Sequence, residues 1–338
     1  MKYFLIIFFM LFSNKLFAEY TFVVPQKPGG GTTIWAEIVA KELEPFLGEK
    51  IKIKTISGAR DIPGFNKFHN ELRFDDKTVM VSHGGNAVSF LQENVDYDYS
   101  DYESIGLMNL NIIVGKRKDS SKVVFAAGSG QTPEAYAMAM LLCGNGKTVQ
   151  EYVSCFSENV NWVKGMSSSE RRIAFKRSEL TVTRENPAAY KKHVETDKNA
   201  EIWFHHGILK GQHHVDDINY AGYQFEELFK NKWGEYPNGN FYDSYKLLKS
   251  FRDGLQKALW VDKNNPNKKI LIDALVKMRN NKSSMSVIQN KVGNYEWIVG
   301  DDGNKHRDNL MSLINEKAID TMIYFNRNAL GLNSVKKL

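Results

Sequence analysis

Three times in its first 142 residues the chain passes from a β-rich stretch through a Gly-bearing loop into a helical pattern or a turn, and this order constrains the fold most. Thr21 to Pro25 leads into Pro28-Gly29-Gly30-Gly31-Thr32-Thr33. Ile34, Ile38, Val39, Leu43 and Phe46 then share one helical face, which Gly48 stops. Thr78 to Ser82 feeds His83-Gly84-Gly85-Asn86, and Val123 to Ala127 feeds Gly128-Ser129-Gly130-Gln131-Thr132-Pro133 ahead of a helix over Glu134 to Leu142. Strands alternating with helices in this way predict an α/β sheet protein. Ligands of open α/β sheets sit outside the carboxyl ends of the strands. A helix N-terminus there offers unpaired N–H groups and a positive dipole end, so the predicted guest is a small carboxylate or phosphate. Gly128-Ser129-Gly130 lacks the third Gly of a dinucleotide fingerprint, and no Gly-Lys-Ser/Thr follows any loop, so no nucleotide cofactor is expected.

The same pattern continues along the chain. Ile51 to Ile56 alternates as a half-buried strand, and Ile112 to Val114, Val160 to Val163, Leu180 to Thr183 and Ile202 to Phe204 read as short strands. Phe65 to Leu72 and Glu170 to Phe175 read as helices. From Phe225 onwards the pattern is largely helical, with long periodic stretches at Tyr242 to Trp260 and Lys269 to Met278.

The first eighteen residues stand apart. Met1-Lys2, an apolar run over Tyr3 to Phe12 and the small Ala18 make a secretory signal peptide, with cleavage expected after Ala18 and Glu19 as the mature start. Leu16 stands where a small residue is preferred, and the alternative is an uncleaved anchor, for which the run falls short of the ~20 residues a spanning helix needs. The segment carries Lys2 and Lys15 and no acid, so its removal lowers the net charge of +6 to +4. With 45 basic and 39 acidic side chains interspersed, neither nucleic acid nor an anionic membrane is indicated. The 338 residues suit two domains. Export to an oxidising compartment leaves two readings of Cys143 and Cys155, a disulfide or a pair of buried thiols, and argues against a catalytic Cys.

The motifs resemble a known family, the exported solute receptors of tripartite tricarboxylate transporters, often called Bug proteins. The likeness is carried by Val24-Pro25 with Pro28-Gly29-Gly30-Gly31, by Leu43 to Gly48, and by Gly58-Ala59-Arg60-Asp61-Ile62-Pro63-Gly64 with Asp61 at a usual Gly. It continues through Ser82-His83-Gly84-Gly85-Asn86, Tyr97 to Gly106, Phe125 to Gln131 and Val163-Lys164-Gly165. It is strong from Tyr20 to about Gly165 and thin beyond. Thr33 stands at a usual Asp, where it is expected to cap the helix, and Glu37 at a frequent Arg. Leu180-Thr181-Val182-Thr183-Arg184-Glu185-Asn186 lacks an Asp at Thr181 and gains Arg184, which favours a more negative ligand.

The resemblance implies a two-lobed periplasmic-binding-protein fold of type II, an α/β architecture with a mixed sheet flanked by helices in each lobe and the ligand cleft between them. Residues 19–118 with about 242–338 would form one lobe and about 119–241 the other, hinged near Lys116 to Ser121 and Gly239 to Tyr245. The implied ligand-binding set is Gly29, Gly30, Gly31, Thr32, Thr33, Ser82, His83, Gly84, Gly85, Asn86, Gly128, Ser129, Gly130, Gln131, Thr132, Thr183 and Arg184. The expected partners are a small organic anion of di- or tricarboxylate type and the membrane permease subunits of such a transporter. The protein itself is expected to be a periplasmic monomer without a cofactor.

Other readings are weaker. His205-His206 and His213-His214 invite a metal, but only one His of an adjacent pair points easily at a given ion, and no metal site is expected. Ser167-Ser168-Ser169-Glu170-Arg171-Arg172 is either a phosphate-binding turn or, better, a capped helix start. Lys191-Lys192-His193 has no nucleic-acid module around it. A secreted enzyme acting on a small carboxylate would need a nucleophile with a base or a metal, and neither Gly-x-Ser-x-Gly nor His-Glu-x-x-His occurs. A ligand sensor for a membrane kinase is the main alternative to transport.

Overall fold

A computed structural model describes residues 19–58, 61–127, 132–211 and 213–333. The expected signal peptide and the Gly128 to Gln131 loop therefore lie outside the described residues. The strands are β1 (Tyr20–Val24), β2 (Ile51–Thr55), β3 (Thr78–Val81), β4 (Tyr102–Met108), β5 (Ile113–Arg117), β6 (Val123–Ala127) and β7 (Val160–Lys164). They continue as β8 (Val182–Glu185), β9 (Ala200–His205), β10 (Ile208–Lys210), β11 (His213–Val215), β12 (Ala258–Asp262) and β13 (Trp297–Val299).

Phe22, Val23 and Val24 are all buried because β1 runs inside a sheet, parallel to β2 on one side and β3 on the other. The edge strand β2 keeps the polar–apolar alternation expected of it. The first sheet has the order β13-β4-β12-β3-β1-β2 and the second β7-β6-β8-β5-β9, with β10 and β11 as a separate hairpin. The two larger sheets share one plan. Three parallel strands, β2-β1-β3 or β7-β6-β8, are followed by an antiparallel strand that arrives from the other half of the molecule. That strand is β12 in the first sheet, between β3 and β4, and β5 in the second, between β8 and β9. This is the mixed α/β, two-sheet architecture expected.

The crossings between the sheets fall at residues 109–112 and just before Ala258. Lys116 and Arg117, expected at a hinge, lie inside β5, and the second expected crossing falls inside the helix Gly239–Gly254. The periodic stretch Tyr242 to Trp260 is likewise divided. The helix ends at Gly254, and Ala258–Asp262 is an interior strand of the first sheet. Periodicity alone does not separate a short, fully apolar strand from a buried helix, and Leu259-Trp260-Val261 is such a run.

One apolar core joins the first sheet's inner face, through Phe65, Phe68, Tyr97 and Trp260, to the helices Pro133–Cys143, Gly239–Gly254 and Glu316–Asn328. The last of these was expected beside the first sheet, but it packs on the second sheet's helices. Tyr136 Oη donates to Asn326 Oδ1 at 3.1 Å, and Trp162 Nε1 donates to the Leu330 carbonyl at 3.1 Å. A disulfide joins Cys143 to Cys155 across 6.3 Å between Cα atoms, tying the helix Pro133–Cys143 to the helix Val149–Asn159. Among the described residues no helix is long and apolar enough to cross a membrane.

Candidate functional site

The loop after β1 ends in Gly30, the N-cap of the helix Gly31–Leu47, and the helix opens without a side-chain cap of its own. Gln26 compensates, its Oε1 accepting from the Thr32 N–H at 2.9 Å. Thr33 does not cap. The helix starts three residues earlier than Ile34, and Thr33 Oγ1 donates instead to the Lys27 carbonyl at 2.9 Å. Beneath this turn Lys257 Nζ donates to Thr32 Oγ1 at 2.7 Å. Burial pushes the Lys257 ammonium down to about 7, against the attraction of Asp61.

Asp61 takes φ 60, the left-handed conformation that a Gly supplies freely and that Asp tolerates. Its Oδ2 lies 2.6 Å from His83 Nδ1, while Gln26 Nε2 lies 2.9 Å from His83 Nε2. The Gly85 N–H also faces Nδ1 at 3.1 Å, so a proton on Nδ1 serves Asp61 at the expense of that bond, and Nε2 then accepts from Gln26. Burial holds His83 below the ordinary histidine range, so the neutral ring is favoured.

The second sheet supplies the opposite wall. Ser167 N-caps the helix Ser168–Lys176 in a capping box with Glu170, as the sequence indicates. Arg172 grips Glu185 through two hydrogen bonds of 2.9 and 2.7 Å. Arg184, on β8, is 8 % exposed and places Nη1 3.5 Å from Glu134 Oε1. Arg252 Nη1 lies 3.6 Å from Glu134 Oε2, and His206 Nε2 4.0 Å from Oε1. Burial pushes the Glu134 carboxyl up, but the guanidinium groups of Arg184 and Arg252 outweigh it and hold the carboxyl below its usual value.

Both walls face one cleft of about 510 Å³, in which Gly30, Asp61 and His83 from the first sheet meet Ser167, Arg171 and Arg184 from the second. A hollow of about 600 Å³ beside His214 and Tyr242 is larger, but neither the 28–33 nor the 82–86 loop lines it.

Of the expected ligand-binding set, Gly30, His83 and Arg184 line the cleft, as do Asp61 and Ser167 to Arg171 from the other motifs singled out in the sequence. Gly29 touches Arg172 through its carbonyl, and Gly31 packs on Asn186. Thr32 and Thr33 are buried in the helix start. Ser82 lies behind the cleft, donating to the Leu255 carbonyl, and Asn86 holds the loop by accepting from the His83 N–H at 2.8 Å. Gly84 and Gly85 form the short helix behind His83. Thr132 is the buried N-cap of the helix Pro133–Cys143, and Thr183 is buried on β8 outside the cleft lining.

The paired histidines do not converge. His206 hydrogen-bonds Asp253 at 2.7 Å, His205 lies 3.0 Å from Asp216, and His213 is exposed. Among the described residues no group of three or more His, Cys, Asp or Glu is placed to hold a metal.

Sequence reasoning missed Gln26, Glu134, Arg252 and Lys257, and it set Arg171 aside by reading Ser167 to Arg172 as a capped helix start rather than a phosphate-binding turn. The available signal was charge where periodicity demands apolar side chains, as at Arg252-Asp253 on the buried stripe of the helix Gly239–Gly254.

No protein-family model matches the chain, and a search of the curated proteins gives no match. Solved structures do match. "R. palustris Rpa4515 with adipate" is similar with a TM-score of 0.59 and 14 % identity, over 90 % of this chain and 97 % of that one. "Structure of periplasmic binding protein BugD" gives 0.57 and 14 %, over 93 % and 98 %. MatC from Rhodopseudomonas palustris with bound malate gives 0.53 and 12 %, over 92 % and 99 %. At such identities the likeness is one of fold, and the chain has the two-sheet fold of these periplasmic binding proteins.

Proposed function

We propose that the chain is an extracytoplasmic solute-binding receptor of the Bug type. It captures a small organic anion of di- or tricarboxylate type and delivers it to the permease of a tripartite tricarboxylate transporter. The carrying observation is the convergence of two helix starts, at Gly31 and Ser168, with the Arg184 guanidinium on one cleft between the sheets. Helix N-termini and guanidinium groups both favour anions. The neighbours with bound malate and adipate support the ligand class, and the motifs from Tyr20 to Gly165 support the family. In this reading the protein works as a periplasmic monomer after cleavage near Ala18, and the loop at Gly128 to Gln131 contributes to the site. Ligand bound to both walls stabilises the closed arrangement, which the permease recognises.

A thermal-shift screen over mono-, di- and tricarboxylates, amino acids and aromatic acids tests this. The expected result is a saturable rise with an organic anion that mass spectrometry recovers unchanged. Turnover of the compound, or a response to neutral or cationic solutes alone, rejects the reading.

A further inference from the structure

The charges around the cleft do not balance. Three guanidinium groups, Arg171, Arg184 and Arg252, lie around Glu134 and Asp253, while the two carboxylates that line the cleft, Asp61 and Glu170, are engaged with His83 and with the Ser167 N–H. Asp253 is engaged with His206, and the neighbouring Glu185 is held by Arg172. Arg171 is 3 % exposed, yet among the described residues no carboxylate lies within 4.0 Å of it. It donates from Nη2 to Ser168 Oγ at 3.3 Å, and its Nε is buried without a hydrogen-bond partner. The Nε of Arg184 is also buried without a hydrogen-bond partner. Both side chains line the cleft. Glu185 and Glu134 attract Arg171 only from beyond contact distance, and a buried cation without a contacting counter-ion is strongly unfavourable, so a chain that keeps one beside a cavity has a use for the charge.

We propose that Arg171, with Arg184 beside it, forms a side-chain subsite for one oxyanion group of the ligand, a carboxylate or a phosphoryl group. The subsite rests on the receptor reading above and adds to it a specificity rule. The guanidinium groups secure one charged end of the ligand, while the turn at Gly30, where Gln26 takes the Thr32 N–H of the helix start, faces the other, so a ligand with an anionic group at each end outbinds its monoanionic analogue. Forked N–H donors match either oxyanion, and the charge excess disfavours ligands that are neutral at that end.

The test uses the mature protein and its R171M and R171K variants. The probes are succinate, malate, glutarate, adipate, their monoamides, and inorganic phosphate and sulfate at matched ionic strength, read by thermal melting and isothermal titration. The expected result is saturable binding of at least one dianion, weakened roughly tenfold or more in R171M and partly retained in R171K. Without added anion, R171M melts no lower than wild type, because it loses an uncompensated charge. Phosphate outcompeting every dicarboxylate assigns the subsite to a phosphoryl end, and the reverse assigns it to a carboxylate. Dianion binding that R171M leaves intact overturns the subsite while the receptor reading stands. So does an R171M melting loss that R171K restores with no change in affinity. No saturable response to any anion overturns both.

Discussion

Arg172 Nη1 donates to the carbonyl of Gly29 at 3.0 Å, and the two residues belong to opposite walls of the cleft. Glu185 fixes the guanidinium by its other edge, so one planar side chain spans an ion pair and an inter-wall hydrogen bond. Lys cannot do both. Arg172→Lys is expected to keep the charge beside Glu185, lose the bond to Gly29 and weaken ligand affinity roughly tenfold. Titration calorimetry with a ligand found by the screen, together with small-angle scattering, checks this. Unchanged affinity and compaction would show that the bond does not contribute to closure.

A second inter-wall contact makes a suppressor test. A Cβ added to Gly31 would collide with Asn186 Nδ2. Gly31→Ala should leave the circular dichroism spectrum intact and remove the ligand-induced melting shift. Asn186→Ala should restore that shift in the double variant, although it loses the Asn186 cap on Ala189, a cost of about 1 kcal/mol. A double variant that still fails to respond would place the obstruction elsewhere.

Lys257 gives stability a pH signature. Its folded pKa, pushed down to about 7, lies below the unfolded value of roughly 10.4. Between these values the unfolded chain binds more protons, so this group's contribution to stability rises with pH. The charged groups acting on it are Asp61, Arg252, Asp253 and Glu185. Lys257→Met is therefore expected to gain most over wild type below pH 7, with the gain shrinking toward pH 10. Urea denaturation midpoints from pH 6 to 10 measure it, and a gain that does not shrink with pH contradicts the desolvated lysine.

The disulfide closes a short loop between two helices of the second sheet's side. Replacing both cysteines with Ser should cost about 3 kcal/mol and leave the fold intact, since the loop is a surface connection. Thiol titration of the native protein should find no free thiol, and two reactive thiols would rule the bridge out.

The fold was legible where local rules coincide. Gly48 ends its helix in the left-handed conformation, the Ile-Lys alternation gives the edge strand β2, and the strand-to-Gly-loop junctions at 28–33 and 82–86 lead into the helices Gly31–Leu47 and Gly84–Ala87 and bring Gly30 and His83 to the cleft. The strand β12 was not legible, because its pairing with β3 and β4 joins residues far apart in sequence. The site was half legible. Glycine loops carry a local signature, so Gly30 and His83 were found. Glu134 and Lys257 act through partners from other elements, Arg171 was visible only as part of a capped helix start, and a single charged letter does not tell a solvated side chain from a buried one.

The exchange of strands between the sheets also orders the making of the protein. Both ladder partners of β4 are late in the chain, β12 from Ala258 and β13 from Trp297, so β4 has nothing to pair with while the first 257 residues emerge. The second sheet, in contrast, is complete once His205 has appeared. The middle of the chain is thus able to complete its sheet first, whereas the amino-terminal sheet, apart from β1, β2 and β3, is completed only by the far end.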